Sequence, residues 1–274
     1  MSTEATALWA PAEDWPQRYD RLLASTGMDS RQIRHNFSLT GVKAGETVSG
    51  ALLRQWMEEN GRAERELMAD SGATGPRALV IQASVAQRDL CLQVLGPLTT
   101  RLLLDGHSPA PTEDWVIFRE SGTESRWTWQ ESGTEAPGEA GIPEWITLVS
   151  ATLRRWYPWF RKELGLSPGA FWSSAALGLS APFSALYNTA DSQTLTTLAS
   201  EWLNQFDCDV TRYLEWLPAT FQGQQCAIPQ RRGCCLDYLL PEGRYCGTCG
   251  VFRKERLATL HPNQSNTATT TRPT

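Results

Sequence analysis

Four of the seven cysteines in this 274-residue chain lie close together near its end. Cys234 and Cys235 are adjacent, ten residues follow, and Cys246 and Cys249 are then separated by two residues. Thiolate sulfur is a soft ligand, so a four-thiolate site selects zinc or an iron–sulfur cluster over magnesium or calcium. The spacing therefore predicts a metal or redox site, and the choice between these decides the function.

The spacing favours a cluster over a single zinc ion. Structural zinc sites typically draw on two CxxC pairs, and here only Cys246 and Cys249 have that form. Adjacent cysteines in an extended segment point to opposite sides, so Cys234 and Cys235 reach one ion only if the backbone distorts. A 2Fe-2S cluster spreads its four ligands over two irons and accommodates an adjacent pair more easily. Structural zinc and a dithiol redox site remain open on spacing alone.

The bulk composition indicates a protein of a reducing compartment. The chain is long enough to bury a hydrophobic core without disulfides. Its net charge of -5 argues against a duplex nucleic-acid binder. The sequence shows no signal-peptide pattern and no run of about 18 apolar residues, so we expect a cytoplasmic protein with no integral membrane segment. Peripheral membrane association stays open. In the cytoplasm clustered cysteines are metal ligands or catalytic thiols more often than disulfides.

Helical patterns dominate the elements that must position this site. We expect a hairpin from "WVIFRE" and "RWTWQE", which are short, aromatic and β-branched. The predicted helices cover 15–23, 50–72 with Ser49 as cap, 78–104 with a kink or break at Gly96 and Pro97, 144–165 with a kink or end at Pro158, 167–187 with Ser167 as cap, and 194–206.

The fold class follows from this pattern. We predict an α+β protein whose predominantly helical main domain, residues 1–221, contains a central β-hairpin or small sheet. From residue 222 the composition shifts to Gly, Gln, Cys and Arg, which indicates a small C-terminal module over residues 222–260 that carries the iron–sulfur site. Residues 261–274 have no apolar face, and we expect them to be disordered.

The stretch "RRGCCLDYLLPEGRYCGTC" resembles the C-terminal signature of the FhuF-like ferric-siderophore reductases. In that family a basic pair precedes CCx10CxxC, and the match includes every cysteine position. The order of apolar helices, central hairpin, the "FWSSAALGLSAPFSAL" helix and terminal module is also similar, although only the cysteine signature is specific.

The resemblance implies that Cys234, Cys235, Cys246 and Cys249 hold a 2Fe-2S cluster. It also implies a cytoplasmic reductase that delivers one electron to ferric iron in a siderophore, commonly a hydroxamate. Hard oxygen ligands hold Fe(III) far better than Fe(II), so reduction loosens the metal. The chain contains neither GxGxxG nor a Walker P-loop, so we expect a separate electron donor, a ferredoxin or a flavoprotein.

Other residues near the cysteines are weaker candidates. Arg231, Arg232 and Arg244 belong to a locally basic segment that favours docking of anionic partners. The arginine pair could instead hydrogen-bond the cluster sulfurs or simply be solvated. Trp172 is expected in the core, with substrate docking as its alternative.

The remaining cysteines and the surroundings of the motif complete the expectations. Cys91 is expected to be a packed core thiol, Cys208 a bystander, and Cys226 a bystander or an alternative ligand. The residues expected to form an apolar shell around the site are Leu236, Leu239, Leu240, Tyr245, Val251 and Phe252.

Two other functional classes remain open from the sequence. One is a non-enzymatic siderophore- or protein-binding protein with a structural zinc site. The other is an iron–sulfur electron carrier or sensor.

Overall fold

Helices form most of the described part of the chain, and short antiparallel sheets join them. The computed structural model describes residues 14–42, 50–70, 75–121, 124–131, 138–221 and 223–251. The predicted α+β class is confirmed at this level. Ser49, Phe252 and residues 261–274 lie outside the described residues. Within the described part, no helix combines the length and the apolar composition that crossing a membrane requires.

Most of the elements along the described chain are helices, with strands between them. The helices are α1 Trp15–Thr26, α2 Ser30–Asn36, α3 Leu53–Asp70, α4 Gly75–Leu90, α5 Gly96–Asp105, α6 Ile142–Leu164, α7 Pro168–Leu179, α8 Ala181–Ser184, α9 Ser192–Leu203 and α10 Val210–Tyr213. The strands are β1 Ala51–Leu52, β2 His107–Pro109, β3 Val116–Ser121, β4 Glu124–Trp129, β5 Glu139–Gly141, β6 Leu214–Phe221 and β7 Gln224–Arg231.

The long apolar segment stays helical past Gly96 and Pro97, so of the kink or break expected there the break does not occur. A π-helical turn, Cys91–Leu95, joins α4 to α5 immediately before Gly96 and Pro97. Proline lacks the N–H of a regular helical bond, and the wider π turn accommodates this without ending the helix. Gly178 of α7 packs closely against this turn, because a β-carbon there would collide with the carbonyl of Cys91.

Helix α6 runs through Pro158 to Leu164, so of the kink or end expected there the proline does not end the element. Leu153, Trp156 and Phe160 are buried on one face as the spacing predicted, whereas Leu148 is 43% exposed. Helix α7 begins as predicted, since the Ser167 hydroxyl accepts from the Ala170 N–H at 3.1 Å.

The predicted hairpin is confirmed, and a second hairpin was not predicted. Strands β3 and β4 pair antiparallel, with β1 on the other side of β3. Strands β6 and β7 form an eight-pair antiparallel hairpin from Leu214 opposite Arg231 to Phe221 opposite Gln224. Its turn coincides with the predicted domain boundary at residue 222. The segment that leads into the cysteines is therefore hydrogen-bonded to a strand of the predicted main domain.

Glu113, in the turn before β3, anchors helix α6. Its carboxylate accepts from the Trp156 indole N–H at 3.2 Å and from Arg155 at 2.6 Å. Burial raises the pKa of Glu113, but hydrogen bonds from its own backbone, Trp156 and Arg155 more than offset this, so its pKa lies below the ordinary value. A carboxylate with a depressed pKa stabilises the fold above its unfolded-state pKa, and the stabilisation disappears as pH falls through the folded-state pKa.

We expect Glu113→Gln to destabilise the protein by about 1–3 kcal/mol at neutral pH, because the Arg155 and Trp156 donors lose a charged acceptor. The difference from wild type should shrink in acid, where the carboxylate is protonated. Urea unfolding across pH measures both. The control is Asp207→Asn, because Asp207 pairs with Arg154 but its own side chain is 86% exposed. It should cost less than about 1 kcal/mol.

Candidate metal centre

Strand β7 delivers the chain to the cysteine segment and also holds its far end. The Arg231 N–H donates to the Thr248 carbonyl at 3.2 Å, and the Gln230 side-chain amide donates to the Cys249 carbonyl at 3.2 Å. The CxxC segment is thereby tied back to the strand that precedes Cys234. These hydrogen bonds explain how Cys234 and Cys249, fifteen positions apart in sequence, lie close together in space.

Glycines allow the backbone of this segment to pack against α7. Gly233 lies so close to Gly169, near the start of α7, that an added β-carbon would collide with the Gly169 carbonyl. A β-carbon at Gly250 would lie 2.5 Å from the Gly233 oxygen and 2.9 Å from the Arg231 oxygen. A side chain at either position would force backbone to move.

The four thiols contact one another in the order Cys249, Cys234, Cys235, Cys246, and we call this set the thiol row. The Cys234 and Cys249 sulfurs are 3.7 Å apart, and Cys235 accepts hydrogen bonds from the Cys234 and Cys246 thiols. Leu236 follows in a left-handed conformation with φ of 65°, and its N–H donates to the Cys234 sulfur at 3.3 Å. This turn redirects the chain immediately after the adjacent pair.

The thiols have different acidities. Hydrogen bonds from Cys234 and Cys246, together with the charge of Arg231 and the Asp237 N–H, lower the pKa of Cys235 far below its ordinary value. The hydrogen bond to Cys235 and burial raise the pKa of Cys234. The same two causes raise the pKa of Cys246.

Arg231 is fully buried beside the thiols. Its guanidinium donates to the hydroxyls of Ser173 and Ser174 in α7, at 2.9 and 2.8 Å. Within the described part of the chain it has no carboxylate partner, and its Nη1 has no hydrogen-bond acceptor. A buried charge without a counter-charge is costly. The centre therefore has the electrostatics of a site that holds a negative group.

Arg88, on α4, is a second cation at the thiols and was not predicted from the sequence. Its Nη1 lies 3.6 Å from the Cys235 sulfur. Its guanidinium also pairs with Asp89 at 2.8 Å and with Asp237 at 3.2 Å. The only sequence signal for it is that Arg88 and Asp89 are a charged pair within the otherwise largely apolar segment 78–104.

The burial of Arg231 argues against docking of a partner on its side chain. The other predicted docking residues lie in different surroundings. Arg232 is exposed and pairs with Glu215 of β6. Arg244 is exposed in the loop between the two cysteine pairs. Trp172 is 3% exposed and packs against Tyr157 and Phe171, which agrees with its expected place in the core.

The expected apolar shell is only partly formed. Leu239, Tyr245 and Val251 are 38%, 53% and 49% exposed, and Tyr245 stacks on Tyr238 at the surface. The loop between Cys235 and Cys246 is therefore a thin cover, whereas α4, α7 and β7 form the buried side. The centre therefore lies close to the surface on this side, where Cys234 and Cys246 are only partly buried.

The remaining cysteines have distinct surroundings. Cys91 is buried in the π turn, where burial raises its pKa, as expected of a core thiol. Burial raises the pKa of Cys208 to about 11. Cys226 is buried in β7 and lines a pocket.

That pocket, of about 590 Å³, lies beside the CxxC segment. Gly247 and Thr248 form one wall, and β7 with helices α7 and α8 provides most of the rest. Polar groups at its edge come from Tyr187, Asn188 and Gln224. No charged side chain lines it among the described residues, so it suits an uncharged ligand with a mainly apolar surface.

Comparison with known proteins does not assign the chain: no protein-family model matches it, and no curated protein matches it. Within the described residues, no three Cys, His, Asp or Glu side chains are gathered as ligands of one metal ion. The four predicted cysteines nevertheless lie together, with Arg88 and Arg231 beside them.

Proposed function

We propose that this protein is a reductase that passes one electron from a 2Fe-2S cluster, held by the four clustered cysteines, to Fe(III) in a siderophore. The observation that carries the proposal is the four-thiol row packed against two arginines, of which Arg231 is buried without a carboxylate partner in the described chain. Four thiolates holding metal supply the missing negative charge. A four-thiolate zinc site would supply it as well, so charge alone does not separate the two.

The pairing of the thiols supports the cluster. Each iron of a 2Fe-2S cluster takes two thiolates. The row offers Cys234 with Cys249 and Cys235 with Cys246 as two such pairs. Two thiolates bound tetrahedrally to one metal at about 2.3 Å lie roughly 3.8 Å apart. The 3.7 Å between the Cys234 and Cys249 sulfurs fits this separation.

A bound 2Fe-2S cluster supplies a single electron at a time. The protein's own residues hold the cysteine segment against β7 and α7 and place two cations beside the thiols. They leave one side of the centre covered only by a thin loop. No general acid, base or nucleophile is required, because reduction itself weakens the hold of hard oxygen ligands on iron. The donor is a separate protein, which we expect to be a ferredoxin or a flavoprotein.

The uncharged pocket beside Gly247 and Thr248 supports a hydroxamate siderophore as the substrate. Three hydroxamate anions neutralise Fe(III), so the complex carries no charge at its iron centre. Such a ligand avoids the cost of bringing a charge against the apolar wall formed by Leu177 and Ile228. The polar edge at Asn188 and Gln224 can hydrogen-bond amide groups of the chelator.

Purification without oxygen, followed by visible and EPR spectroscopy with iron and acid-labile sulfide analysis, tests the cofactor. The reduced protein is then titrated with neutral ferric tris-hydroxamates and with anionic ferric tris-catecholates, and Fe(II) is trapped with a ferrous-specific chelator. We expect oxidation of the protein with equivalent Fe(II) formation, faster with the neutral complexes.

Two results would contradict the proposal in different ways. Colourless protein with one equivalent of zinc and no sulfide would identify a zinc-containing binding protein. A cluster that no ferric chelate oxidises would identify an electron carrier or sensor.

A further inference from the structure

The C-terminal end of α4 contacts the centre. Arg88 is near this end, its side chain is 17% exposed, and its Nη1 donates to the Cys235 sulfur at 3.6 Å. Arg88 is therefore in direct contact with one of the four proposed ligands.

Two carboxylates fix the direction of the Arg88 guanidinium. Its Nε and Nη2 both lie 2.8 Å from Asp89 Oδ1, and its Nη1 lies 3.2 Å from Asp237 Oδ2. The planar guanidinium, held at two edges, keeps an N–H directed at sulfur with little freedom. Asp237 lies in the 3₁₀ turn Asp237–Leu239 directly after the cysteine pair, so the same contact fastens the turn to α4.

We propose that Arg88 is a positioning residue that raises the reduction potential of the metal centre through its hydrogen bond to the Cys235 sulfur. This rests on the proposed function, since it requires a redox-active centre. Reduction adds one negative charge, and hydrogen bonds to ligand sulfurs stabilise the more negative state. Arg88 thus makes it easier for the donor protein to reduce the centre.

The two cations have different roles in this arrangement. Arg231 donates to Ser173 and Ser174 and acts on the thiols through its charge. Arg88 contacts a ligand sulfur directly, so its removal takes away both a hydrogen bond and a charge. It also leaves Asp89 and Asp237 without their shared cation, which makes the surroundings more negative. Both effects shift the potential in the same direction.

The test is a redox titration of anaerobically purified protein, followed by visible absorbance and EPR, for wild type, Arg88→Gln, Arg88→Lys and Arg101→Gln. Arg101, on α5, is the matched control, because its guanidinium pairs with Glu131 and Glu139 rather than with a cysteine. The expected result for Arg88→Gln is a more negative potential. At a fixed donor potential, its reduced-to-oxidised ratio should fall about tenfold, as one lost charge-assisted hydrogen bond would produce.

Arg88→Lys keeps the positive charge but lacks the forked guanidinium, so its potential should lie between those of Arg88→Gln and wild type. The potential of Arg101→Gln should match that of wild type. An unchanged potential and EPR signal in Arg88→Gln would overturn the inference while leaving the reductase intact. Loss of visible absorbance from both folded Arg88 variants would also overturn it, by assigning Arg88 to assembly. Wild-type protein with no cluster at all would overturn the proposed function and this inference with it.

Discussion

Cys246→Ser is expected to abolish both the visible absorbance of the purified protein and its electron transfer to ferric chelates. Serine offers a hard oxygen in place of a soft thiolate, so it binds iron or zinc poorly. Cys246 is also the hydrogen-bond partner of Cys235, and its loss leaves one end of the row without a ligand. Activity should fall to the background of free reductant.

The same exchange at Cys208 is the control. Cys208 lies outside the cysteine row and the pocket, and burial raises its pKa to about 11, so Cys208→Ser should keep the absorbance and the activity. Cys226→Ser tests the alternative ligand and should keep the iron content. Full activity in Cys246→Ser would refute the proposed centre.

Chelate binding separates the reductase from the non-enzymatic alternative. Most of the pocket wall comes from β7, α7 and α8, so Cys246→Ser should still bind a ferric hydroxamate, as quenching of tryptophan fluorescence would show. Lost transfer with retained binding is the signature of a redox centre next to a binding site. If wild type and Cys246→Ser bound the chelate equally and neither transferred an electron, the non-enzymatic binding protein would be favoured.

Gly233→Ala is expected to have the second large effect, a loss of about 3 kcal/mol or more in unfolding free energy together with loss of bound metal. The added β-carbon would collide with the backbone of Gly169 rather than with a flexible side chain. Relief requires α7 and the cysteine segment to separate. That movement would also pull Arg231 away from Ser173 and Ser174.

Gly247→Ala is the matched control within the same segment. No atom lies within 4 Å of a β-carbon added there, so the substitution should change stability by less than about 0.5 kcal/mol. Urea unfolding followed by tryptophan fluorescence, with metal analysis of the folded protein, measures both variants. Equal stability of the two would show that the cysteine segment does not pack on α7 as described.

The cysteine constellation was visible in the sequence because ligand type and spacing are local properties. The same is true of the Ser167 cap and of the β3–β4 hairpin, which depend on neighbouring residues. In the structure the Cys234 and Cys249 sulfurs lie 3.7 Å apart, and that the four cysteines hold a 2Fe-2S cluster stays a prediction.

The β6–β7 hairpin was missed because its pattern is interrupted. Pro218 and Pro229 lie inside the strands, opposite Ala227 and Trp216. Proline is tolerated here because the sheet has two strands and both prolines lie at register positions whose N–H, like that of Ala227, would point away from the partner strand. Sequence patterning sees the prolines but not the number of strands.

Arg88 was missed for a different reason. Its sequence position is 147 residues from Cys235, and only the packing of α4 against the 3₁₀ turn joins them. Arg231 was identified as a candidate, but its burial depends on α7 supplying two serines in the right place. Long-range packing of this kind has no local signature.

The shared wall between pocket and thiols has a thermodynamic consequence. Gly247 and Thr248 line the pocket, while Cys246 and Cys249 on either side belong to the thiol row. A ligand that binds more tightly to one oxidation state of the centre must shift the midpoint potential by the corresponding coupling free energy, because linkage between two binding equilibria is reciprocal. A bound acceptor that prefers the reduced protein would thus raise the midpoint potential, so that the centre is reduced more readily once the acceptor is in place. With no acceptor bound, fewer centres would be reduced and fewer electrons would pass to oxygen.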